Sequence, residues 1–151
     1  MFDEEIQIRE MHREDAPAVL SMMRLFYASS AVFTNGSEQI FQNDINACLS
    51  ENPYLEGYVF EGYKGVIGYA MLAKSYSTEY GMPCIWIEDI YIQESGRSKG
   101  IGGKFFSFIK QKYQTCLLKL EVEEENIGAI RFYQRQGFEK LPYTELIWQA
   151  E

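Results

Sequence analysis

The longest β-prone run of the chain is followed by a glycine-rich segment and then by an amphipathic helix. The run is Cys84–Ile92, and only Glu88 and Asp89 interrupt its apolar and aromatic residues. The glycine-rich segment is Ser95–Gly103. The helix is predicted from an apolar stripe at helical spacing, formed by Ile101, Phe105, Phe108, Ile109 and Tyr113. A strand that leads through a short turn into a helix is typical of mixed α/β domains, in which helices pack on a sheet.

The segment Arg97–Gly102, with the sequence Arg-Ser-Lys-Gly-Ile-Gly, predicts an anion-binding turn. The first N–H groups of a helix have no partner within the helix, and the helix dipole adds positive charge there. Glycine lacks a Cβ, so the chain can approach an anion closely, and Arg97 and Lys99 add charge. The pattern is neither a Walker loop nor a GxGxxG fingerprint near a first strand. It indicates a cradle for a pyrophosphate.

Hydrophobic periodicity predicts the other elements, and their order is β-α-α-β-β-β-α-β-α-β-β. The remaining strands are predicted at Glu5–Glu10, Tyr58–Tyr63, Val66–Leu72, Leu117–Val122, Phe138–Leu141 and Glu145–Trp148, with Ser75–Pro83 as a polar loop. Helices are predicted from Asp15 to Tyr27, from Ser37 to Ser50, and from Asn126 to Gly137, each beginning at a residue type that favours the N-cap position. We therefore expect an α/β fold with one twisted mixed sheet and helices on both faces. Residues 1–151 are expected to form a single domain.

Charge and composition exclude several classes of function. The net charge of −8 opposes nucleic-acid binding, which needs clustered Lys and Arg. The chain has no run of about 18 apolar residues and no signal region, so we expect a cytoplasmic protein without a membrane partner. The lone His12 and three widely spaced cysteines predict no metal site.

Two strings resemble motifs of the GNAT acetyltransferases. Trp86–Gly102, which contains Arg97-Ser-Lys-Gly-Ile-Gly102, is similar to motif A of that superfamily. Asn126–Phe138, with Ala129, Phe132-Tyr133 and Gly137-Phe138, is similar to motif B. Within the superfamily, Tyr76-Ser77-Thr78 followed by Ile87-Glu88-Asp89-Ile90-Tyr91 resembles the spermidine/spermine N-acetyltransferase group.

The resemblance implies that acetyl-CoA is the acetyl donor and indicates which residues would bind it. The turn would bind the pyrophosphate, and the backbone of the central strand would pair with the pantetheine arm, where that strand separates from its neighbour. The implied cofactor-binding residues are Ile90, Tyr91, Ile92, Arg97, Ser98, Lys99, Gly100, Ile101, Gly102, Gly103, Asn126, Ala129 and Tyr133.

Glu88 and Tyr133 are the candidate catalytic residues. A carboxylate within an apolar strand is costly to bury, and a Glu with a raised pKa, or a water relay, would deprotonate the acceptor amine. Tyr133 resembles the family tyrosine that protonates the departing thiolate. Strand alternation predicts that Asp89 points to the face opposite Glu88 and is structural. The amine would then attack the thioester directly.

The sequence is compatible with several kinds of acceptor. We expect a small-molecule amine, either a polyamine or diamine or an amino-acid-like compound, bound near Phe26, Tyr27, Tyr76 and Glu88. No acidic residue lies in Phe26–Ser30, where the polyamine group has a Glu. The alternatives are a protein N-terminus or lysine, an aminoglycoside, or a module that binds acyl-CoA without turnover. The resemblance also implies a homodimer, with Tyr143–Trp148 as the exchanged segment.

Overall fold

The computed structural model describes residues 5–150, which form one five-stranded sheet with the strand order β1-β2-β3-β4-β5. β1 to β4 are antiparallel neighbours, whereas β4 and β5 are parallel. The strands are β1 Gln7–Glu10, β2 Leu55–Gly62, β3 Gly65–Ser77, β4 Met82–Ile92 and β5 Leu117–Leu120. The predicted α/β class with one mixed sheet is therefore confirmed.

Within residues 5–150, four α-helices accompany the sheet, and side chains cap the start of two of them. They are α1 Ala16–Tyr27, α2 Glu38–Leu49, α3 Ile101–Lys112 and α4 Ile127–Arg135, with short 3₁₀ turns at Arg13–Asp15 and Glu94–Gly96. The Ser37 side chain accepts a hydrogen bond from the Ile40 amide at 3.2 Å, and Asn126 accepts one from the Ala129 amide at 3.3 Å. The N-caps predicted at Ser37 and Asn126 are confirmed, whereas the Asp15 side chain makes no capping hydrogen bond to α1.

Helices pack on both faces of the sheet, as predicted. Val59, Tyr69 and Met71 belong to a buried cluster with residues of α1 and α2. The side chains that alternate with them belong to a second cluster with residues of α3: Tyr58, Phe60, Ala70 and Leu72. Successive side chains of a strand point to opposite faces, so the two clusters are the two sides of one sheet.

The predicted loop at Ser75–Pro83 is wrong, because β3 continues to Ser77 and β4 begins at Met82. Backbone pairing extends through Ser75, opposite Cys84, to the end of the hairpin. Except for the buried Ser77, the polar residues of this region face solvent on an extended hairpin, so the apolar alternation that identifies a strand in the sequence is missing.

The two predicted C-terminal strands, Phe138–Leu141 and Glu145–Trp148, are not formed. Among residues 5–150, no strand follows α4, and the order ends β-α-β-α. Phe138 still packs against the α3 side of the core. Leu146, Ile147 and Trp148 are 90%, 83% and 85% exposed. A strand needs a neighbour to satisfy its backbone groups, and this segment pairs with no strand of the described chain.

Candidate active site

The parallel strands β4 and β5 stop pairing halfway along β4. Their paired residues run from Cys84 opposite Leu117 to Ile87 opposite Leu120. β4 continues to Ile92, and within residues 5–150 no strand pairs with its remaining five residues on that side. The separation implied by the family resemblance is therefore present. It leaves a free strand edge that an extended ligand can pair with.

The glycine-rich turn after β4 presents unsatisfied amides at the start of α3. Ser98 and Gly100 have positive φ angles, 63° and 76°. For residues 5–150, no acceptor is recorded for the backbone N–H groups of residues 98–103. Residues 97–100 are exposed. A Cβ added at Gly100 would meet no heavy atom within 4 Å, so the space in front of the turn is open. These features suit an anion.

Three residues of the turn have roles within the protein itself. The Arg97 Nε donates to the Ile92 carbonyl at 2.8 Å, and the guanidinium carbon lies 5.5 Å from the centre of the Tyr91 ring. Arg97 thereby ties the turn to the end of β4. A Cβ added at Gly102 would lie 2.8 Å from Cζ of Phe132, so this glycine permits close packing of α3 against α4. Ile101 is also buried in the core and offers a ligand only its backbone.

A cavity of about 420 Å³ opens beside the free edge of β4. It brings together segments that are far apart in the sequence: the end of α1 and its following loop, the middle of β4, the end of β5, and α4. Its lining residues are Phe26, Tyr27, Ala31, Val32, Phe33, Thr34, Ile87, Glu88, Asp89, Ile90, Leu120, Glu121, Val122, Asn126, Ala129 and Tyr133. Of the predicted site residues, seven lie here: Phe26, Tyr27, Glu88, Ile90, Asn126, Ala129 and Tyr133.

Glu88 is the extra residue of a β-bulge. Met71 of β3 lies opposite Asp89, but the next residue, Leu72, lies opposite Ile87, so Glu88 has no partner on β3. The bulge changes the alternation of β4, because Ile87 and Ile90 both pack on the α3 side. The prediction that Glu88 and Asp89 point to opposite faces is therefore wrong. Both line the cavity, and sequence alternation fails where a strand contains an extra residue.

The Glu88 carboxyl lies among other acidic groups. Burial, then Asp89 and then Glu145, raise its pKa above the usual value. Burial and Glu88 also raise the pKa of Asp44 on α2. A raised pKa makes a carboxylate a stronger base, so the surroundings of Glu88 favour proton acceptance.

Asp89 and Glu121 were not predicted as site residues, yet both line the cavity. Burial raises the pKa of Asp89 to about 6, although hydrogen bonds from Tyr69 and Tyr27 oppose that effect. A hydrogen bond with Glu145 and then burial raise the pKa of Glu121 to about 7. The acidic interruption of a β-prone run was a usable signal for Asp89. For Glu121, which follows β5, the sequence offers no signal beyond its position.

Tyr133 enters the cavity from α4. Its ring packs edge-on against Phe106 at 5.9 Å and against Phe138 at 6.2 Å. Burial raises the pKa of its hydroxyl above the ordinary value of about 10, which keeps the phenol protonated at neutral pH. Ala129 lies one turn before it on the same helix, and the Asn126 side chain caps the N-terminus of α4. The helix thus places a proton donor at the wall of the cavity.

Tyr76 lies away from these residues. It is on β3 opposite Pro83, is 63% exposed, and does not line the cavity. Tyr91, Ile92 and the turn residues Arg97–Gly103 also lie outside the lining, along the strand edge and the start of α3. A larger groove of about 1,550 Å³ runs beside β1 and α3 past Lys99 and Lys104, but it contains neither Glu88 nor Tyr133.

Residues 5–150 contain neither a metal-binding cluster nor a membrane-spanning helix. No group of three His, Cys, Asp or Glu side chains in that range has a geometry that could hold a metal ion. None of the four helices in the range has the length and apolar character required to cross a membrane.

Comparison with known proteins identifies relatives in sequence and in structure. A sequence model of the acetyltransferase (GNAT) family matches residues 10–138. The spermine/spermidine N(1)-acetyltransferase of Bacillus subtilis (strain 168) is 30% identical over 109 residues, which are 68% of this chain and 69% of that protein. A putative acetyltransferase of the same strain, YjbC, is 34% identical over 58 residues, which cover 36% of this chain and 30% of that one.

Solved structures share the fold at low sequence identity. A possible acetyltransferase from Clostridium difficile 630 superposes with a TM-score of 0.81 at 21% identity, covering 97% of this chain and 98% of that one. The aminoglycoside N-acetyltransferase AAC(6')-Iy, in complex with a CoA bisubstrate analogue, superposes with a TM-score of 0.80 at 15% identity, covering 97% and 99%. The chain belongs to the acetyltransferase (GNAT) family and is an acetyl-CoA-dependent N-acetyltransferase.

Proposed function

We propose that this enzyme acetylates a primary amine of a small cationic acceptor, with linear diamines and polyamines as the preferred class. The charge of the cavity carries the proposal. Glu88, Asp89 and Glu121 line it, and none of its lining residues within the described range 5–150 is Lys or Arg. Carboxylates without basic partners attract a cation into the cavity and lower the cost of binding it.

The neutral part of the cavity favours an alkyl chain over a sugar. Phe26, Val32 and Phe33 contribute apolar surface. The Tyr27 hydroxyl already donates to Asp89, and the Asn126 side chain already caps α4. An aminoglycoside carries many hydroxyl groups, and each would lose free energy if it were buried without a partner. The methylene spacer of a diamine needs no such partners.

The curated relatives agree with this acceptor class. The protein that is 30% identical is named a spermine/spermidine N(1)-acetyltransferase. The aminoglycoside acetyltransferases share the fold at 14–16% identity, which supports architecture and not substrate. Aminoglycosides, protein amino groups and binding without turnover are the competing outcomes of the assay below.

On the donor side, the free edge of β4 and the open amides of the turn fit acetyl-CoA. We assign the pantetheine arm to the backbone of Ile90, Tyr91 and Ile92, because β4 has no partner there. The diphosphate is assigned to the turn from Arg97 to Gly103, with Lys99 as the exposed cation. Asn126 and Ala129 flank the path between α4 and β4. Acetyl-CoA supplies the acetyl group as an activated thioester.

Glu88 and Tyr133 complete the proposed chemistry. Glu88 takes a proton from the acceptor ammonium, directly or through a water molecule, because its raised pKa brings it closer to that of the amine. The free amine then forms the C–N bond of the amide while the C–S bond breaks. The nitrogen releases its second proton to solvent, and Glu88 returns its own proton to solvent after the transfer. Tyr133 donates its proton to the departing sulfur and regains one from solvent. In this mechanism, backbone N–H groups near Ile90 stabilise the oxyanion.

The test is the rate of CoA release with a panel of amines. We expect spermidine and 1,4-diaminobutane to have a higher kcat/KM than a monoamine of equal length, an aminoglycoside, or a peptide with a free N-terminus. Acetyl-CoA binding without turnover on any amine would contradict the enzymatic proposal. A preference for the aminoglycoside or the peptide would contradict the proposed acceptor.

A matched pair of variants examines the role of the cavity charge. Glu121 lines the cavity, whereas Glu124 is exposed and does not line it. We expect Glu121→Gln to raise KM for a diamine by about tenfold, equivalent to about 1.4 kcal/mol, and to leave KM for a monoamine nearly unchanged. Glu124→Gln should change neither value. If both substitutions raise KM for the diamine equally, the increase results from the overall charge of the protein and not from the charge of the cavity.

We further propose a homodimer formed through the C-terminal segment. Leu146, Ile147 and Trp148 are exposed apolar residues in a segment that pairs with no strand among residues 5–150. Pairing with a second copy would bury these side chains and satisfy the backbone. Sedimentation should give a dimer for the wild type and a monomer for Trp148→Glu. A monomeric wild type would disprove the proposal.

We also propose that the protein is a single-domain enzyme and that it is located in the cytoplasm. The described residues share one sheet with a core on each face, which supports a single catalytic domain. The cysteines Cys48, Cys84 and Cys116 are all free, which suits the reducing conditions of the cytoplasm. Cell fractionation tests the location.

A further inference from the structure

The Asp89 carboxylate is buried and is held by two tyrosines. Its side chain is 4% exposed. Oδ1 accepts a hydrogen bond from the Tyr27 hydroxyl at 3.0 Å, and Oδ2 accepts one from the Tyr69 hydroxyl at 2.8 Å. None of the salt bridges between residues 5 and 150 includes Asp89. The two hydroxyl groups are therefore the interactions that compensate for burying this group.

These hydrogen bonds join three elements of the fold at the acceptor cavity. Tyr27 is the last residue of α1, Tyr69 lies on β3, and Asp89 lies on β4. Tyr69 is fully buried, so β3 provides a fixed point. Tyr27 lines the cavity together with its neighbour Phe26. The carboxylate thus connects the C-terminal end of α1 to the sheet.

Asp89 also follows Glu88 directly in the chain. Glu88 is the unpaired residue of the bulge, and pairing with β3 resumes at Asp89, opposite Met71. Anchoring the Asp89 side chain restricts the backbone on the C-terminal side of the bulge. The Glu88 side chain has no hydrogen-bond partner recorded within residues 5–150 to fix it independently.

Aromatic packing around the connection gives it a defined geometry. The Phe26 ring contacts the rings of Tyr27, Tyr69 and Tyr91 edge-on, with centroid distances of 5.3, 6.4 and 6.2 Å. Tyr27 also packs against Phe41 of α2 at 5.1 Å. Such contacts favour particular ring orientations, so a change at Tyr27 alters the surface that Phe26 presents to the cavity.

We infer that Asp89 is a positioning residue that, through Tyr27 and Tyr69, sets the distance between the acceptor-binding wall at the end of α1 and the bulge that carries Glu88. The inference rests on the proposed function of the cavity as the acceptor site. Asp89 takes no proton from the acceptor and touches no reacting atom in this role. It determines whether the acceptor amine is held against Glu88.

Tyr27→Phe removes one hydroxyl while it keeps the ring and its packing. We expect KM for the acceptor to rise by about tenfold or more, as the loss of a hydrogen bond to a charged group implies, while KM for acetyl-CoA stays within about twofold. Tyr69→Phe should act in the same direction.

The control is Tyr58→Phe. The Tyr58 hydroxyl donates to the Glu56 carboxylate at 2.7 Å, and neither residue lines the cavity. Tyr58→Phe removes the same kind of hydrogen bond from a buried tyrosine. It should lower the melting temperature without changing KM for the acceptor. If Tyr27→Phe leaves KM unchanged, or if Tyr58→Phe raises it equally, the inference fails.

Hydrogen exchange of the full chain supplies a readout that needs no activity. We expect faster amide exchange at residues 24–28 in Tyr27→Phe and unchanged exchange there in Tyr58→Phe. If the wild type acetylates no amine, the proposed function fails, and the exchange result alone decides whether Asp89 anchors α1. Unchanged exchange in Tyr27→Phe would overturn the inference.

Discussion

Ile87 of β4 lies opposite Leu120 of β5, and this pair is the last rung between the two parallel strands. The next residue of β4 is Glu88, which is also the residue that β3 leaves unpaired. Glu88, the candidate base, therefore lies where pairing between β4 and β5 ends. It also lies at the β-bulge that interrupts pairing between β4 and β3. The part of β4 from Glu88 to Ile92 thus offers an unpaired backbone edge for acetyl-CoA and a carboxylate for the acceptor amine.

Glu88→Gln should lower kcat/KM for the amine by about 10²–10⁴-fold, because the variant lacks the proposed proton acceptor. The defect should shrink as the pH approaches the amine pKa of about 10, where free amine becomes available without a base. Initial rates across pH 6–10 measure this. The dissociation constant of acetyl-CoA should remain at the wild-type value, as should all constants of the control Glu51→Gln, an exposed loop residue.

Tyr133→Phe should lower kcat by about 10²-fold without lowering the melting temperature, since the ring contacts with Phe106 and Phe138 are retained. Steady-state kinetics and thermal unfolding on the same preparation separate the two effects. An unchanged kcat would remove Tyr133 from the proposed mechanism and leave it a packing residue.

Gly100→Ala should weaken acetyl-CoA binding by at least about tenfold, since the new methyl group would enter the open space before the turn. The substitution also adds backbone strain, because φ is 76°. Gly81→Ala is the matched control: its φ is 67°, its Cβ would also meet nothing within 4 Å, and it lies in the turn between β3 and β4. Both variants should lose about 1 kcal/mol of stability.

Titration calorimetry of both variants with acetyl-CoA then shows whether the loss of affinity results from backbone strain or from a methyl group that blocks the binding site. Equal affinities of the two alanine variants would show that the glycine at position 100 serves the backbone alone, and the diphosphate assignment would have to be abandoned.

Asp89→Asn should change how stability depends on pH. The pKa of Asp89 is about 6 in the folded protein and about 3.9 in an unfolded chain, so the folded state binds this proton more tightly. The favourable contribution of Asp89 is full below about pH 4 and is lost as the pH rises through 6. Between pH 5 and 7 the wild type should lose about 1 kcal/mol relative to Asp89→Asn.

Urea unfolding at several pH values measures that difference. Other groups with raised pKa values, such as Glu121, remain in both proteins, so their contribution largely cancels. A difference that stays constant between pH 5 and 7 would mean that Asp89 has an ordinary pKa despite its burial.

The sequence alone predicted the features that arise from local chemistry. The caps at Ser37 and Asn126, the amphipathic α3 and the β-prone β4 follow from side chains that interact within a few residues of each other. The glycine-rich turn was recognisable for the same reason. Its residues are contiguous, and the free amides at the start of α3 result from helix geometry.

Tertiary structure decided the relationships between distant segments. The bulge at Glu88 depends on the register against β3, so alternation along β4 assigned Asp89 to the wrong face. The packing role of Gly102 depends on Phe132, thirty positions later. Glu121 lines the cavity because β5 ends beside Glu88, whereas Tyr76 does not line it because it lies near the end of β3, opposite Pro83.

The C-terminal segment shows why the sequence predicts local features but not the pairing between distant segments. Phe138–Leu141 and Glu145–Trp148 have the composition of strands, but a strand is stable only when another strand satisfies its backbone. Whether such a partner exists is a property of the assembled sheet and not of the segment. Local interactions can be read along the chain, whereas register, partner and cavity arise when the chain folds on itself.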